Sequence, residues 1–134
     1  MLERLSVHGL GIISAVELEL EAGFTVLTGE TGAGKSLLVE SLKLLGGQRA
    51  QSDMVRTGDD RLRVEGVFTV EPGSPVEVVL DDLGVPSSES VVLRREVTEG
   101  GRGRAWINDV TVTAGALQQI APYLISIHGQ HEQH

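Results

Sequence analysis

The period of the apolar positions changes several times along the chain, and each change marks an element. Leu2, Leu5 and Val7 fall in a short run closed by Gly9 and Gly11, which predicts a strand over residues 2–8. From Ile12 to Glu21, Val16, Leu18 and Leu20 alternate with Glu17, Glu19 and Glu21, the period of a half-buried strand with one acidic, solvated face. Gly23 turns the chain, and residues 24–28 read as a third, more buried strand. Lys35 to Leu45 changes to helical spacing: Leu38, Leu42 and Leu45 share one side with Leu37, Ser41 and Leu44, while Glu40 and Lys43 are polar. Gly46-Gly47 ends that helix as a left-handed C-cap would.

Residues 48–60 are polar and mixed, and read mostly as loop. Alternation returns over Arg61–Val70 with Leu62, Val64, Phe68 and Val70 on one face, until Pro72 and Gly73 break it. Ser74 then stands as an N-cap with Pro75 first and Glu77 third, and Val76, Val79, Leu80 and Leu83 follow at helical spacing up to Gly84. Residues 91–97 and 104–107 are strands about the turn 98–103, and Asn108-Asp109 turns tightly into a strand over 110–112. Thr113 caps a helix running to about Tyr123, with Leu117, Ile120 and Ala121 inward, and residues 124–128 form a last strand. The pattern is α/β: a strand-rich lobe wrapped on one central strand and helix.

At 134 residues the chain is sized for one domain, 1–134, and 40% hydrophobic against 22% charged residues suits a folded core. With no cysteine, disulfides, thiolate metal sites and cysteine nucleophiles are excluded. No stretch approaches 18 apolar residues and the start has no basic region leading into an apolar run, so no membrane span or signal peptide is expected. A cytoplasmic location is the default. The net charge of −8 sets a repulsive background for a nucleic-acid backbone, so any such contact needs a local basic patch.

The chemistry lies between the third strand and the helix. Gly29-Glu30-Thr31-Gly32-Ala33-Gly34-Lys35-Ser36 fits G-x-x-x-x-G-K-[ST], the P-loop pattern, and sits in the strand-to-helix context that pattern requires. Gly32 and Gly34 let successive N–H groups turn toward a β-phosphate, and the helix start through Leu37 adds its own unpaired N–H groups and dipole. Lys35 is placed to reach the β- and γ-phosphates as a point charge, and Ser36 to give Mg²⁺ a hydroxyl oxygen. The expected ligand is a nucleotide with Mg²⁺. No Asn-Lys-x-Asp base-reading run occurs, which favours ATP over GTP; Asn108-Asp109 lacks the Lys.

Several further runs carry a family likeness. Thr28-Gly-Glu-Thr-Gly-Ala-Gly-Lys-Ser-Leu-Leu38, Leu44-Leu-Gly-Gly-Gln-Arg-Ala50, Val55-Arg-Thr-Gly58, Gly101-Arg-Gly-Arg-Ala-Trp-Ile-Asn108 and Ile127-His-Gly-Gln-His-Glu132 together resemble the N-terminal head segment of RecN-type DNA repair proteins, over essentially the whole chain. The resemblance implies the N-terminal lobe of an ABC/SMC-type P-loop ATPase head, with antiparallel strands around the P-loop strand and helix. It also implies a coiled coil and the C-terminal half of the head elsewhere in the protein. A second head as partner, contact with DNA through the whole protein, a nucleoid-associated location, and a role in double-strand break repair and recombination follow from the same likeness. By resemblance, Gln130 is the Q-loop glutamine that contacts Mg²⁺ or the attacking water, and Arg56 matches an arginine near the nucleotide. The family often continues His-Glu-His-Gln where this chain has His131-Glu-Gln-His134. Neither a Walker B run nor a Ser-Gly-Gly signature occurs in these residues, so nucleotide binding without turnover is expected of them alone. Two other readings share the P-loop: a subunit of an ABC-type transporter, and a nucleotide-gated dimerisation module without turnover.

Two weaker constellations remain. His128, His131 and His134 match no zinc-ligand spacing and read as polar residues around a catalytic loop. Arg94, Arg95, Arg102 and Arg104 are the one basic concentration; the bland reading is a solvated hairpin, the sharper one a contact for DNA or a partner. Trp106 beside them is expected to pack rather than stack on a base.

Overall fold

The computed structural model describes residues 2–11, 13–19 and 32–125. Among these, strands β1 (Leu2–Leu10), β2 (Ile13–Glu19), β3 (Arg61–Thr69), β4 (Ser90–Thr98), β5 (Gly103–Ile107) and β6 (Val110–Val112) form one sheet in the order β2-β1-β3-β4-β5-β6. Every neighbouring pair is antiparallel. Helices α1 (Gly32–Leu45), α2 (Pro75–Asp82) and α3 (Ala114–Ile120) complete the described elements, with 3₁₀ turns at Ser52–Met54 and Ala121–Tyr123. The strands expected over 24–28 and, beyond Ile125, over 126–128 lie outside the described residues; Leu124 and Ile125 themselves are not in a strand.

The two faces of the sheet follow from strand parity. Val91, Leu93, Arg95 and Val97 of β4 are buried on the inner face, as are Leu62 and Val64 of β3 and Ala105 and Ile107 of β5. Arg94 and Glu96 of β4, Arg61 and Arg63 of β3, and Arg104 and Trp106 of β5 take the opposite parity and stay wet or half-buried. Helix α1 packs across β1, β3 and β4 on the inner face, and α3 covers β5 and β6 beside it. Leu38, Leu42, Leu44 and Leu45 of α1 are all buried, at about 1.5–3 kcal/mol per side chain. Burial therefore holds α1 on the sheet, since helix-end interactions contribute only about 1 kcal/mol each. What those end interactions decide is where the helix stops and how it is set.

Its C-terminal stop is the one the two glycines predict. Gly47 has φ +91°, its N–H donates to Leu44 O at 3.1 Å, and the Gln48 N–H reaches back to Lys43 O at 3.1 Å, the paired bonds of a Schellman cap. Gly66, the gap in the β3 alternation, leaves room for Leu45: a Cβ there would stand 2.9 Å from Leu45 Cδ1. At the other end α1 begins at Gly32, three residues before the expected start at Lys35. Apolar spacing cannot detect that turn, because Gly32, Ala33 and Gly34 bring no large side chain to it.

Helix α2 starts where expected, by a different contact. Ser74 is the N-cap, but its hydroxyl caps nothing and is buried without a partner. The Glu77 amide, which that hydroxyl would bind, donates to Ser74 O instead, and the Glu77 carboxylate accepts from Gly73 N at 2.9 Å. Thr113 does cap α3, its Oγ1 accepting from Ala116 N at 3.1 Å. That helix ends at Ile120 and tightens into a 3₁₀ turn at Pro122 rather than running on to Tyr123 as one α-helix. Asn108 and Asp109 both take positive φ (50° and 69°), the tight turn that joins β5 to β6.

Replacing Gly47 with Ala should destabilise the chain by about 2 kcal/mol or more. The substitution combines a left-handed φ with a Cβ 2.5 Å from Gln118 Cγ and 2.6 Å from Ala114 O. Paired urea unfolding curves measure the difference, and an unchanged midpoint would contradict the α1–α3 packing described above.

Candidate functional site

Helix α1 opens inside the P-loop motif. Its first turn holds Gly32, Ala33, Gly34 and Lys35, followed by Ser36, and contains no acidic residue. In any α-helix the first four N–H groups lack intrahelical acceptors and carry the positive end of the dipole. Here no carboxylate of the helix's own first turn competes for them, and Ser36 is exposed. Among the described residues, the turn thus brings together a helix N-terminus without an acidic residue of its own and one solvent-facing hydroxyl, features that suit an anion with an attached cation. Gly29, Glu30, Thr31 and Gln130 lie outside the described residues, as do the side chains of Lys35 and Leu37 and all of His128, His131 and His134.

Arg56 is placed at the C-terminal end of β1. Its N–H donates to Gly9 O at 2.7 Å, the neighbouring Val55 bridges Leu10, and the Gly11 N–H donates to Met54 O at 3.0 Å. The run 54–56, expected to be loop, is therefore stitched to the end of β1. The Arg56 guanidinium is partly exposed and lies 3.8 Å from Asp59.

The basic concentration in the hairpin does not survive as a cluster. Arg95 is 5% exposed, on the inner face, and its Nη1 donates to Leu44 O at 2.8 Å and Gln48 O at 3.0 Å. Burial pulls its guanidinium below the ordinary arginine range. Its sequence neighbour Arg94 points the other way, over the Trp106 ring at 4.7 Å from the centroid, with Nη2 3.3 Å from Asp109 Oδ1. Strand parity separates the two. Trp106 packs, as expected, but against Arg94 on the outer face rather than in the core.

Arg102 and Arg104 remain on the outer side, and β3 adds a third guanidinium that sequence proximity could not supply. Arg61, Arg102 and Arg104 line a cleft of about 190 Å³ together with Glu96 and Thr98. Glu96 is already engaged there, 3.0 Å from Arg63 and 3.5 Å from Arg61, and faces Arg104 in the β4–β5 register. Exposed pairs of this kind contribute about 0–1 kcal/mol each, so they organise charge more than they stabilise the sheet.

Comparison with known proteins extends these observations. Residues 4–118 match the family described as AAA domain. Over 98% of its length the chain is 42% identical to the DNA repair protein RecN of Halalkalibacterium halodurans and 41% identical to that of Bacillus subtilis. It spans about a quarter of the length of these relatives, 24% and 23% respectively. Among solved structures it is similar to a chain from work on ATP-driven dimerization and DNA-stimulated activation of SMC ATPases. That match has a TM-score of 0.67 at 28% identity, over 90% of this chain and 77% of the other.

Proposed function

The chain belongs to the AAA domain family and is a RecN-like, SMC-type ATPase head segment with a P-loop fold, and from that premise we propose that its own task is to bind the phosphates of ATP with Mg²⁺. The observation that supports this most strongly is the start of α1 within the Gly29–Ser36 motif, with no acid in its first turn and Ser36 exposed. The N–H groups of residues 32–35 would take the phosphate oxygens, Lys35 would add its charge at the β- and γ-phosphates, and Ser36 would hold Mg²⁺. When bound, Mg²⁺ neutralises charge on the β- and γ-oxygens. Gln130 is proposed to contact Mg²⁺ or the attacking water, and Arg56 to approach the nucleotide from the end of β1.

In the whole protein this segment would contribute to ATP hydrolysis by in-line attack of water on the γ-phosphate. A second head and the C-terminal half of its own head would complete the site, because the 134 residues hold neither a Walker B run nor a signature. For these residues alone that amounts to a nucleotide-gated contact between heads. RecN relatives are named as DNA repair proteins, and we extend to this chain a role in double-strand break repair and recombination, close to the nucleoid. No helix among the described residues is long and apolar enough to cross a membrane, and the transporter reading gains no supporting observation.

Substituting Lys35 by Ala tests the phosphate assignment. Calorimetric titration with ATP·Mg²⁺ should show affinity reduced by about 10-fold or more, the loss of one charged hydrogen-bond donor, with an unchanged circular dichroism spectrum. Equal affinity in the two proteins would refute the assignment. For DNA, replacing Arg102 and Arg104 by Gln in the full-length protein should weaken duplex binding about equally across sequences and reduce the slope of log affinity against log salt by roughly two. Fluorescence anisotropy at several salt concentrations measures this; an unchanged slope would place DNA contact elsewhere.

A further inference from the structure

The sheet takes hold of α1 at its C-terminal end, the end away from the P-loop. Arg95 stands at an inner position of β4, between Val64 of β3 and Ala105 of β5, with Leu93 and Val97 two residues either side. Parity there calls for an apolar residue. Instead a guanidinium crosses the interior to Leu44 O and Gln48 O, while from α3 the Gln118 Nε2 donates to Gly47 O at 3.0 Å. Leu44 O, which also accepts from Gly47 N in the cap, and the Gly47 and Gln48 carbonyls just past the helix are thus bonded by side chains of two other elements.

A buried cation whose partners are carbonyls is a poor way to gain stability. Its pKa is lowered because the loss of water disfavours the charged form, and four buried leucines already hold α1 on the sheet. What the guanidinium supplies is geometry. Its planar group, bonded to two carbonyls at once, tolerates little sliding or rotation of α1 relative to β4. The helix is 14 residues long, about 20 Å, and an α-helix of that length moves as a stiff rod. Displacement at residues 44–48 therefore reappears at Gly32–Ser36, where phosphate binding demands placement to a fraction of an ångström.

We propose that Arg95 is a positioning residue for the nucleotide site: by fixing Leu44 O of α1 and Gln48 O of its cap against β4, it sets where the N-terminal N–H groups of the same helix stand. The inference rests on the phosphate-binding reading of Gly29–Ser36 and names a residue that reading does not use.

The test compares full-length proteins carrying Arg95→Met, Arg95→Lys, Lys35→Ala and, as a destabilised control on the same strand, Val91→Ala. ATP·Mg²⁺ affinity is measured for each by titration well below its melting temperature, beside a thermal melt. Arg95→Met should bind ATP about 10-fold more weakly, Arg95→Lys should fall between it and wild type, and Val91→Ala should keep wild-type affinity despite its lower melting temperature. Wild-type affinity in folded Arg95→Met, or an equal loss in Val91→Ala, overturns the proposal. Should Arg95→Met fail to fold, Arg95→Lys decides: weakened binding upholds the proposal and wild-type binding overturns it. If wild type binds no ATP, or Lys35→Ala binds as wild type does, the phosphate-binding reading itself fails and the inference falls with it.

Discussion

The first turn of a helix has N–H groups without intrahelical acceptors, and its last turn has carbonyls without intrahelical donors. In α1 the carbonyl end is met from within the protein. At Gly32–Ser36 the first turn has no acidic side chain to occupy its donors. At residues 44–48 the chain closes a Schellman cap at Gly47, and Arg95 and Gln118 take Leu44 O, Gln48 O and Gly47 O. The cap requires a left-handed residue at 47, and the close approach of α3 requires that residue to lack a side chain; glycine meets both demands. The sheet serves as the frame against which the C-terminal end of one helix is held.

Charge follows the same division by face. With a net charge of −8 the chain is a poor surface for polyanions. Its arginines are distributed by strand parity into separate tasks. Arg95 binds Leu44 O and Gln48 O inside, Arg94 lies over Trp106 beside Asp109, and Arg61 and Arg63 share Glu96. The outer cleft gathers Arg61, Arg102 and Arg104 beside Glu96 and Thr98.

Much of this was legible from residue order, because local periodicity and turn chemistry agree with the fold. The strands β1 to β6, the stop of α1 at Gly46-Gly47, the Thr113 cap and the Asn108-Asp109 turn follow from spacing and residue type. Features that depend on what lies across the sheet were less accessible. The start of α1 at Gly32 leaves no apolar trace, and the stitching of residues 54–56 to β1 is a long-range pairing. Arg61 joins Arg102 and Arg104 only through the β3–β4 register. Arg95 is instructive because its signal was present. It shares parity with Val91, Leu93 and Val97, and a cation in an apolar column predicts a buried partner; grouping it with Arg94 by adjacency hid that. At the candidate site, the helix start and Ser36 were placed, while Gly29–Thr31 and Gln130 lie outside the described residues.

We propose that α1 is held at its C-terminal end so that its first turn can receive phosphate. Hydrogen–deuterium exchange on the full-length protein, with and without ATP·Mg²⁺, addresses both halves of it. Slow exchange is expected at residues 44–48 and 93–97 in both states, with exchange at residues 32–35 that is fast without nucleotide and slows when it binds. Fast exchange at residues 44–48 in the free protein, or no change at residues 32–35 in a protein that demonstrably binds ATP, would contradict it.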